Sequence, residues 1–322
     1  MRTRYIFFVG LAVLFVAAAG IYTVFSRDME VARARLVGRS QTVETSFGTV
    51  EYAAMGEGMP MLTIHGAGGG FDQGLELTSA MIVHGFQLIA PSRFGYLRSS
   101  LPDNLTTAMQ ADAYAQLLDR LGIHEVVVFG SSAGAWSALQ FAIRHPQRCR
   151  ALVLLAPAGY LPAGTDIGGG AVVRAIFSSD FLAWAALKVM PIIPGEMTPM
   201  MLGTDAALVR AADPDEKARV SQVLDHLMPV SPRDRGMQFD IKTVGTHEPY
   251  AIEKIACPVL TISAKDDRFG TAIRSREIAT GVADGRAIIF PTGGHALVGH
   301  YADAMREIAS FLHTVQQRHP LR

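Results

Sequence analysis

Apolar and polar positions along this chain fall into three regimes. The first is a block: from Tyr5 to Phe25, 21 residues run without a charge, after Arg2 and Arg4 and before Arg27. As a helix this run is about 30 Å long, enough to cross the hydrocarbon core of a bilayer. Ala17-Ala18-Ala19 also offers the small-residue site of a cleaved secretory signal. Signal cores are usually shorter, about 7 to 15 residues, and Ile21-Tyr22-Thr23-Val24-Phe25 carries the apolar run past that site. The reading is an N-terminal segment over 1–27 that is an uncleaved anchor in preference to a cleaved signal, with a charged juxtamembrane linker over 28–40. Arg2 and Arg4 are answered by Arg27, Arg33, Arg35 and Arg39 on the other flank, so no orientation is assigned.

The second regime alternates short apolar strands with helical spacing. Strands are predicted at Gln41 to Phe47, Thr49 to Ala54, Met61 to Ile64, Gln87 to Ala90, Val126 to Phe129, Ala151 to Ala156, Val259 to Ser263 and Arg286 to Phe290. Helices are predicted at Phe71 to His84, at Thr106 to Leu121 with Gly122 as its stop, after Gly134, and at Tyr301 to Leu312. Strands and helices in this alternation require crossover connections and a mostly parallel sheet, an α/β core spanning 41–157 and 256–322. In the third regime, 158–255, the strands stop. Helical runs at Ala171 to Met190, Met197 to Ala212 and Asp215 to Met228 are broken by Pro191, Pro194, Pro214, Pro229 and Pro232. Its place, inserted between two strands at the sheet edge where open α/β folds bind ligands, makes it a helical lid.

The chemistry sits where strands end. Val126-Val127-Val128-Phe129 runs into Gly130-Ser131-Ser132-Ala133-Gly134, a Gly-x-Ser-x-Gly between a strand and a helix. The two glycines allow a sharp turn that lifts Ser132 from the sheet, with the Ala133 N-H beside it as an oxyanion donor. Met61 to Ile64 ends in His65-Gly66-Ala67-Gly68-Gly69-Gly70, whose backbone N-H groups are unobstructed. No Gly-Lys-Ser/Thr or G-x-G-x-x-G accompanies this turn, so it reads as an oxyanion loop and not a phosphate cradle. Val259 to Ser263 leads to Asp266 and Asp267, and the last strand leads to Gly293-Gly294-His295. Serine, acid and histidine therefore occur in that order, each after a separate strand. A serine hydroxyl needs such an imidazole to take its proton, and the imidazole needs a carboxylate to fix its tautomer.

His65-Gly66-Ala67, Arg93-Phe94-Gly95-Tyr96 with Ser99, the Ser132 turn, Ala264-Lys265-Asp266-Asp267-Arg268-Phe269 and Gly293-Gly294-His295 together resemble the α/β-hydrolase superfamily. Within it the chain is similar to the lidded group of small-molecule esterases, cofactor-free haloperoxidases and carbon-carbon bond hydrolases. The resemblance runs from about Thr49 to Leu312 and implies catalytic Ser132, Asp267 and His295, with oxyanion N-H groups at Ala67 and Ala133. The family's Gly-x-x-Asp pattern, with Ala264 in the glycine place, selects Asp267 and leaves Asp266 as a solvated carboxylate or a partner for Arg268. The resemblance also makes His65, beside Gly66, a structural residue that orients the oxyanion loop, while Gly130 and Gly134 support the turn. His300 is the rival to His295. Carbon-carbon bond hydrolases of this group typically carry Asn before the nucleophile and an aromatic residue after the histidine, where this chain has Ser131 and Ala296.

Composition narrows the partners. The 29 basic and 29 acidic residues balance, which removes any general electrostatic reason to bind nucleic acid. No H-E-x-x-H and no Cys/His cluster with ligand spacing occurs, so neither a metal nor another cofactor is expected. Cys149 and Cys257 read by default as two separate buried thiols. Their similar positions ahead of two strands allow a disulfide in an oxidising compartment. The expected activity is hydrolysis of a small or medium apolar ester or lactone through an acyl-enzyme, with the membrane reached through the N-terminal helix. Carbon-carbon bond hydrolysis and haloperoxidase-like perhydrolysis use the same constellation. A catalytically silent, membrane-tethered binding protein is the alternative from another class, separated from the rest by serine labelling.

Overall fold

Alternate residues of the central strands enter two different cores. In the computed structural model, which describes residues 2–159, 170–243 and 250–318, Val126 and Val128 face one apolar cluster and Val127 and Phe129 face the other. Such two-sided burial is why these strands read as unbroken apolar runs. The strands are β1 (Gln41–Thr45), β2 (Gly48–Met55), β3 (Met59–Ile64), β4 (Phe86–Pro91), β5 (Val126–Ser131), β6 (Cys149–Leu155), β7 (Val259–Ala264) and β8 (Gly285–Phe290). They form one eight-stranded sheet in the order β1-β2-β4-β3-β5-β6-β7-β8. The β1-β2 and β2-β4 pairs are antiparallel and every other pair is parallel.

The helices are α1 (Arg2–Ala34), α2 (Phe71–Thr78), α3 (Thr107–Arg120), α4 (Gly134–Arg144), α5 (Gly170–Phe177), α6 (Asp180–Val189), α7 (Pro194–Leu202), α8 (Ala206–Ala211), α9 (Pro214–Asp225), α10 (Asp234–Thr243), α11 (Thr271–Gly281) and α12 (Tyr301–Arg318). Residues of α3 and α4 line one core, and residues of α2 and α12 line the other. The Thr106 side chain caps α3 by accepting from the Met109 N-H, and Gly122, left-handed at φ +67, follows its end. Helix α2 is shorter than its pattern predicts, because the chain tightens into a 3-10 turn over Ser79–His84.

Between β6 and β7 the described residues hold six helices, α5 to α10. The single runs expected at Ala171 to Met190 and Met197 to Ala212 are each two helices. The first divides before Ser179, whose side chain caps α6, and the second at Gly203, which turns left-handed at φ +56. Helix α10 has no counterpart among the predicted runs. Parts of the expected lid, 160–169 and 244–249, lie outside the described residues, as do residues 1 and 319–322.

The linker expected over 28–40 is corrected over its first half. Residues 28–34 continue α1 without a break, and Met29 and Ala32 are buried in a cluster with Phe177, Trp184 and Met228 of the insert. The earlier part of α1 is apolar and outward-facing, exposed from Tyr5 to Val24, and its most apolar window has a mean hydropathy of 2.3. The cysteines are unbonded and buried, as read by default, but they are neighbours. Cys149 opens β6, Cys257 precedes β7, and their buried, free thiols stand 3.3 Å apart.

Candidate active site

Ser132 owes its position to a turn that only small residues permit. It follows β5 with φ +49, a left-handed conformation that a serine adopts only when its surroundings impose it. A Cβ on Gly134 would lie 2.5 Å from the His65 carbonyl oxygen, and one on Gly130 would lie 2.7 Å from the Ala138 Cβ. The neighbouring chain can therefore close around the turn only with glycine at both places. The Ser132 N-H donates to the Leu155 carbonyl at 3.0 Å, tying the turn to the end of β6.

The β7-β8 pairing, which sets Ala264 opposite Phe290, brings the next two loops together. His295 Nδ1 donates to Asp267 Oδ2 at 2.8 Å, and its Nε2 accepts from the Ser132 hydroxyl at 3.0 Å. Asp267 is held on both oxygens, by the Phe269 N-H at 2.8 Å and by the Thr271 hydroxyl. Burial pushes its carboxyl up, but His295, Thr271 and the Phe269 N-H outweigh burial and hold it below the ordinary range. The Phe269 ring stands edge-on to the imidazole, 4.8 Å between centroids.

Asp266 is exposed, as expected of a loop carboxylate, but it is not the partner of Arg268. It accepts from the N-H groups of Gly293 and Gly294 at 3.3 and 2.9 Å, bracing the loop that carries His295, while Arg268 lies 3.7 Å from Asp205. His300 stacks on Phe290 and lies 3.5 Å from Thr292, away from the serine.

On the opposite side, Ala67 and Ala133 line the same cavity as Ser132, and among the described residues neither N-H donates a hydrogen bond. His65 is buried beneath this loop. Its Nε2 accepts from the Arg93 N-H at 2.9 Å, which leaves Nδ1 to donate to the Gly66 carbonyl at 2.7 Å. Burial, then the charge of Arg93, keeps its pKa well below the ordinary value, against the pull of the Gly66 carbonyl. It is a neutral, doubly bonded strut.

The insert supplies contacts that no local pattern announces. Arg233 reaches the Gly69 carbonyl at 2.5 Å and Asp72 at 2.9 Å. Asp240 pairs with Arg93 and accepts from the Tyr96 hydroxyl at 2.5 Å, and Tyr96 accepts from the Gly68 N-H at 3.3 Å. Gly203 offers its carbonyl to the N-H groups of Arg268 at 3.1 Å and His295 at 3.4 Å. Sequence reading missed all of these, since each joins residues far apart along the chain; the only local signal was charged residues placed among apolar ones. Over the serine lies a cavity of about 500 Å³, with Trp136, Phe177, Met200, Met201, Leu227 and Met237 in its wall. Among the described residues no group of three His, Cys, Asp or Glu side chains converges on a metal-sized site.

Comparison with known proteins agrees with this architecture. A family model described as alpha/beta hydrolase fold matches residues 59–184. An uncharacterized hydrolase of Bacillus subtilis is 37% identical over 116 residues, 36% of this chain and 40% of the relative. A 2-hydroxymuconate semialdehyde hydrolase of Pseudomonas putida is 38% identical over 123 residues, 36% of this chain and 43% of the relative. These matches thus span about two fifths of the relatives' length. Among solved structures, an alpha/beta hydrolase fold protein from Nakamurella multipartita superposes with a TM-score of 0.69 at 24% identity, covering 85% of this chain and 98% of that one. By its strand order, its Ser132 turn and these matches, the chain has the α/β-hydrolase fold.

Proposed function

We propose that this hydrolase cleaves a small or medium apolar carboxylic ester or lactone through an acyl-enzyme. The observation that carries the reading is the continuous chain from Ser132 to His295 to Asp267, at 3.0 and 2.8 Å, at the floor of an apolar cavity. Ser132 Oγ attacks the carbonyl carbon while His295 Nε2 takes its proton, and Asp267 holds Nδ1-H and stabilises the imidazolium. The oxyanion receives the N-H groups of Ala67 and Ala133, each worth roughly 10²-fold or more in rate. The alcohol leaves with the proton from His295. Water, activated by the same imidazole, then adds to the acyl carbon and releases the acid and Ser132.

In this reading the insert is a lid and α1 is a membrane anchor. The anchor is supported by the unbroken course of α1 through Ala17-Ala18-Ala19 and by the outward apolar face from Tyr5 to Val24. A second reading, carbon-carbon bond hydrolysis on the same residues, is favoured by the Pseudomonas putida relative. Incubating the full chain with a short-chain aryl ester and with a 2-hydroxymuconate semialdehyde separates the two. Ser132→Ala is expected to lower ester turnover by about 10³-fold or more and to abolish labelling by a fluorophosphonate. Labelling or turnover that survives the substitution would refute the proposal.

A further inference from the structure

The end of the apolar run in α1 coincides with its first contact to the insert. Phe25 lies about 30 Å along the helix from Tyr5, the depth of a bilayer's hydrocarbon core. At that level its ring meets Phe181 and Trp184 of α6 edge-on, at centroid distances of 5.3 and 5.5 Å. Charges begin in the next turn. Asp28 pairs with Lys188 at 2.8 Å and accepts from the Trp184 indole N-H at 2.9 Å, and Arg33 lies 3.5 Å from Asp180. An indole between an apolar ring pair and an ion pair is the arrangement favoured at a membrane-water boundary.

Helix α6 and the turn after it carry apolar side chains that nothing in the chain covers. Phe181, Leu182, Val189, Ile192 and Ile193 are 42%, 46%, 39%, 77% and 53% exposed. Phe181, Leu182 and Val189 fall on one stripe of α6, with Ile192 and Ile193 continuing beyond it. An apolar stripe beside charged residues suits a helix lying in the interfacial layer. Because Met29 and Ala32 are buried in the same cluster as Trp184, α1 and α6 move as one body, and inserting α1 fixes where α6 lies. The cluster also reaches the active-site cavity: Phe177 belongs to both, and Met201 and Leu227 pack on the cluster and line the cavity.

We propose that α6 and residues 190–193 form a second membrane contact, seated in the interfacial layer beside α1, and that the cavity takes its acyl substrate from the bilayer. The first half rests on α1 spanning the membrane, and the second on Ser132 acting as the acyl-transfer nucleophile. The occupant of the apolar face is lipid. Continuity with the exposed apolar span of α1 and the ring of charges one turn beyond it argue for this choice.

The test uses the full chain reconstituted in phosphatidylcholine vesicles. Cys149 and Cys257 are buried, so Ile192→Cys can carry an environment-sensitive fluorophore. The expected result is a blue-shifted emission quenched by lipids with brominated acyl chains and independent of protein density. A water-like emission overturns the proposal, and so does a shift that appears only at high protein density, which means that a second copy covers the face. For the substrate claim, the variant Leu182→Asp/Ile192→Asp/Ile193→Asp should keep turnover of a water-soluble short-chain aryl ester within about twofold while losing about tenfold or more on a long-chain acyl ester dissolved in the vesicles. Equal loss on both substrates, or loss on neither, overturns it. Failure of the unmodified chain on both esters refutes the hydrolase reading and leaves the fluorophore result to stand by itself.

Discussion

The edge of the sheet and the helical insert meet at one cavity but are organised by different physics. At the sheet edge, position follows from short-range geometry: a strand ends, a glycine turn lifts Ser132, and the β7-β8 register delivers Asp267 beneath His295. The insert works through contacts between distant residues. Its Arg233 holds Gly69 and Asp72, its Asp240 holds Arg93 and Tyr96, and its Gly203 carbonyl takes the N-H of His295. The difference separates two tasks. The sheet places the reacting atoms, and the insert fixes the loops that must not move while they react.

Breaking the sheet side should have the larger effect on rate. Asp267→Asn leaves the imidazole in the wrong tautomer and is expected to lower ester turnover by about 10⁴-fold. Asp266→Asn, which only weakens the brace under Gly293 and Gly294, should cost about tenfold or less in the same assay. Breaking the insert side should show first in stability. Asp240→Ala strands the Arg93 guanidinium, 1% exposed on its side chain, without its counter-charge. Urea denaturation should register a loss of about 3–5 kcal/mol. Replacing Arg93 and Asp240 together with apolar residues should recover much of it, and no recovery would mean that the pair does more than neutralise itself.

Acid sharpens the contrast. The Asp267 carboxyl is held below its ordinary value of 3.8, so its ionised form stabilises the fold above that value. This stabilisation is lost as pH falls through the lower folded-state value. Between about pH 5 and pH 2 the unmodified chain should therefore lose more stability than Asp267→Asn, as measured by denaturation at each pH. The smallest effect is expected far from the cavity. Thr106→Ala removes the cap of α3 and should cost about 1 kcal/mol with turnover unchanged.

The same division explains what could be read from the sequence. Val126 to Phe129, Gly130 and Gly134 each state their environment locally, so the sheet, the Ser132 turn and the order serine, acid, histidine were legible. The bracing role of Asp266 was not legible because its partners, two backbone N-H groups, lie across the sheet edge. The division of the insert's helices depended on Ser179 as a cap and on Gly203 turning left-handed, cues that a long apolar stretch conceals. Arg233 and Asp240 carried no local signature, since a charge becomes a buried strut only when its opposite arrives from another part of the chain.

Gly203 also bears on how such a chain can drift. Its backbone is left-handed, and a Cβ there would lie 2.8 Å from the Phe269 ring and 3.0 Å from the His295 Cβ. Turns of the insert that touch neither this point nor the struts at Arg219, Arg233 and Asp240 can lengthen, shorten or exchange their side chains at little cost to the site. A graft of a foreign insert would have to return a glycine to this place, which makes Gly203 one splice point between a variable cover and a fixed machine.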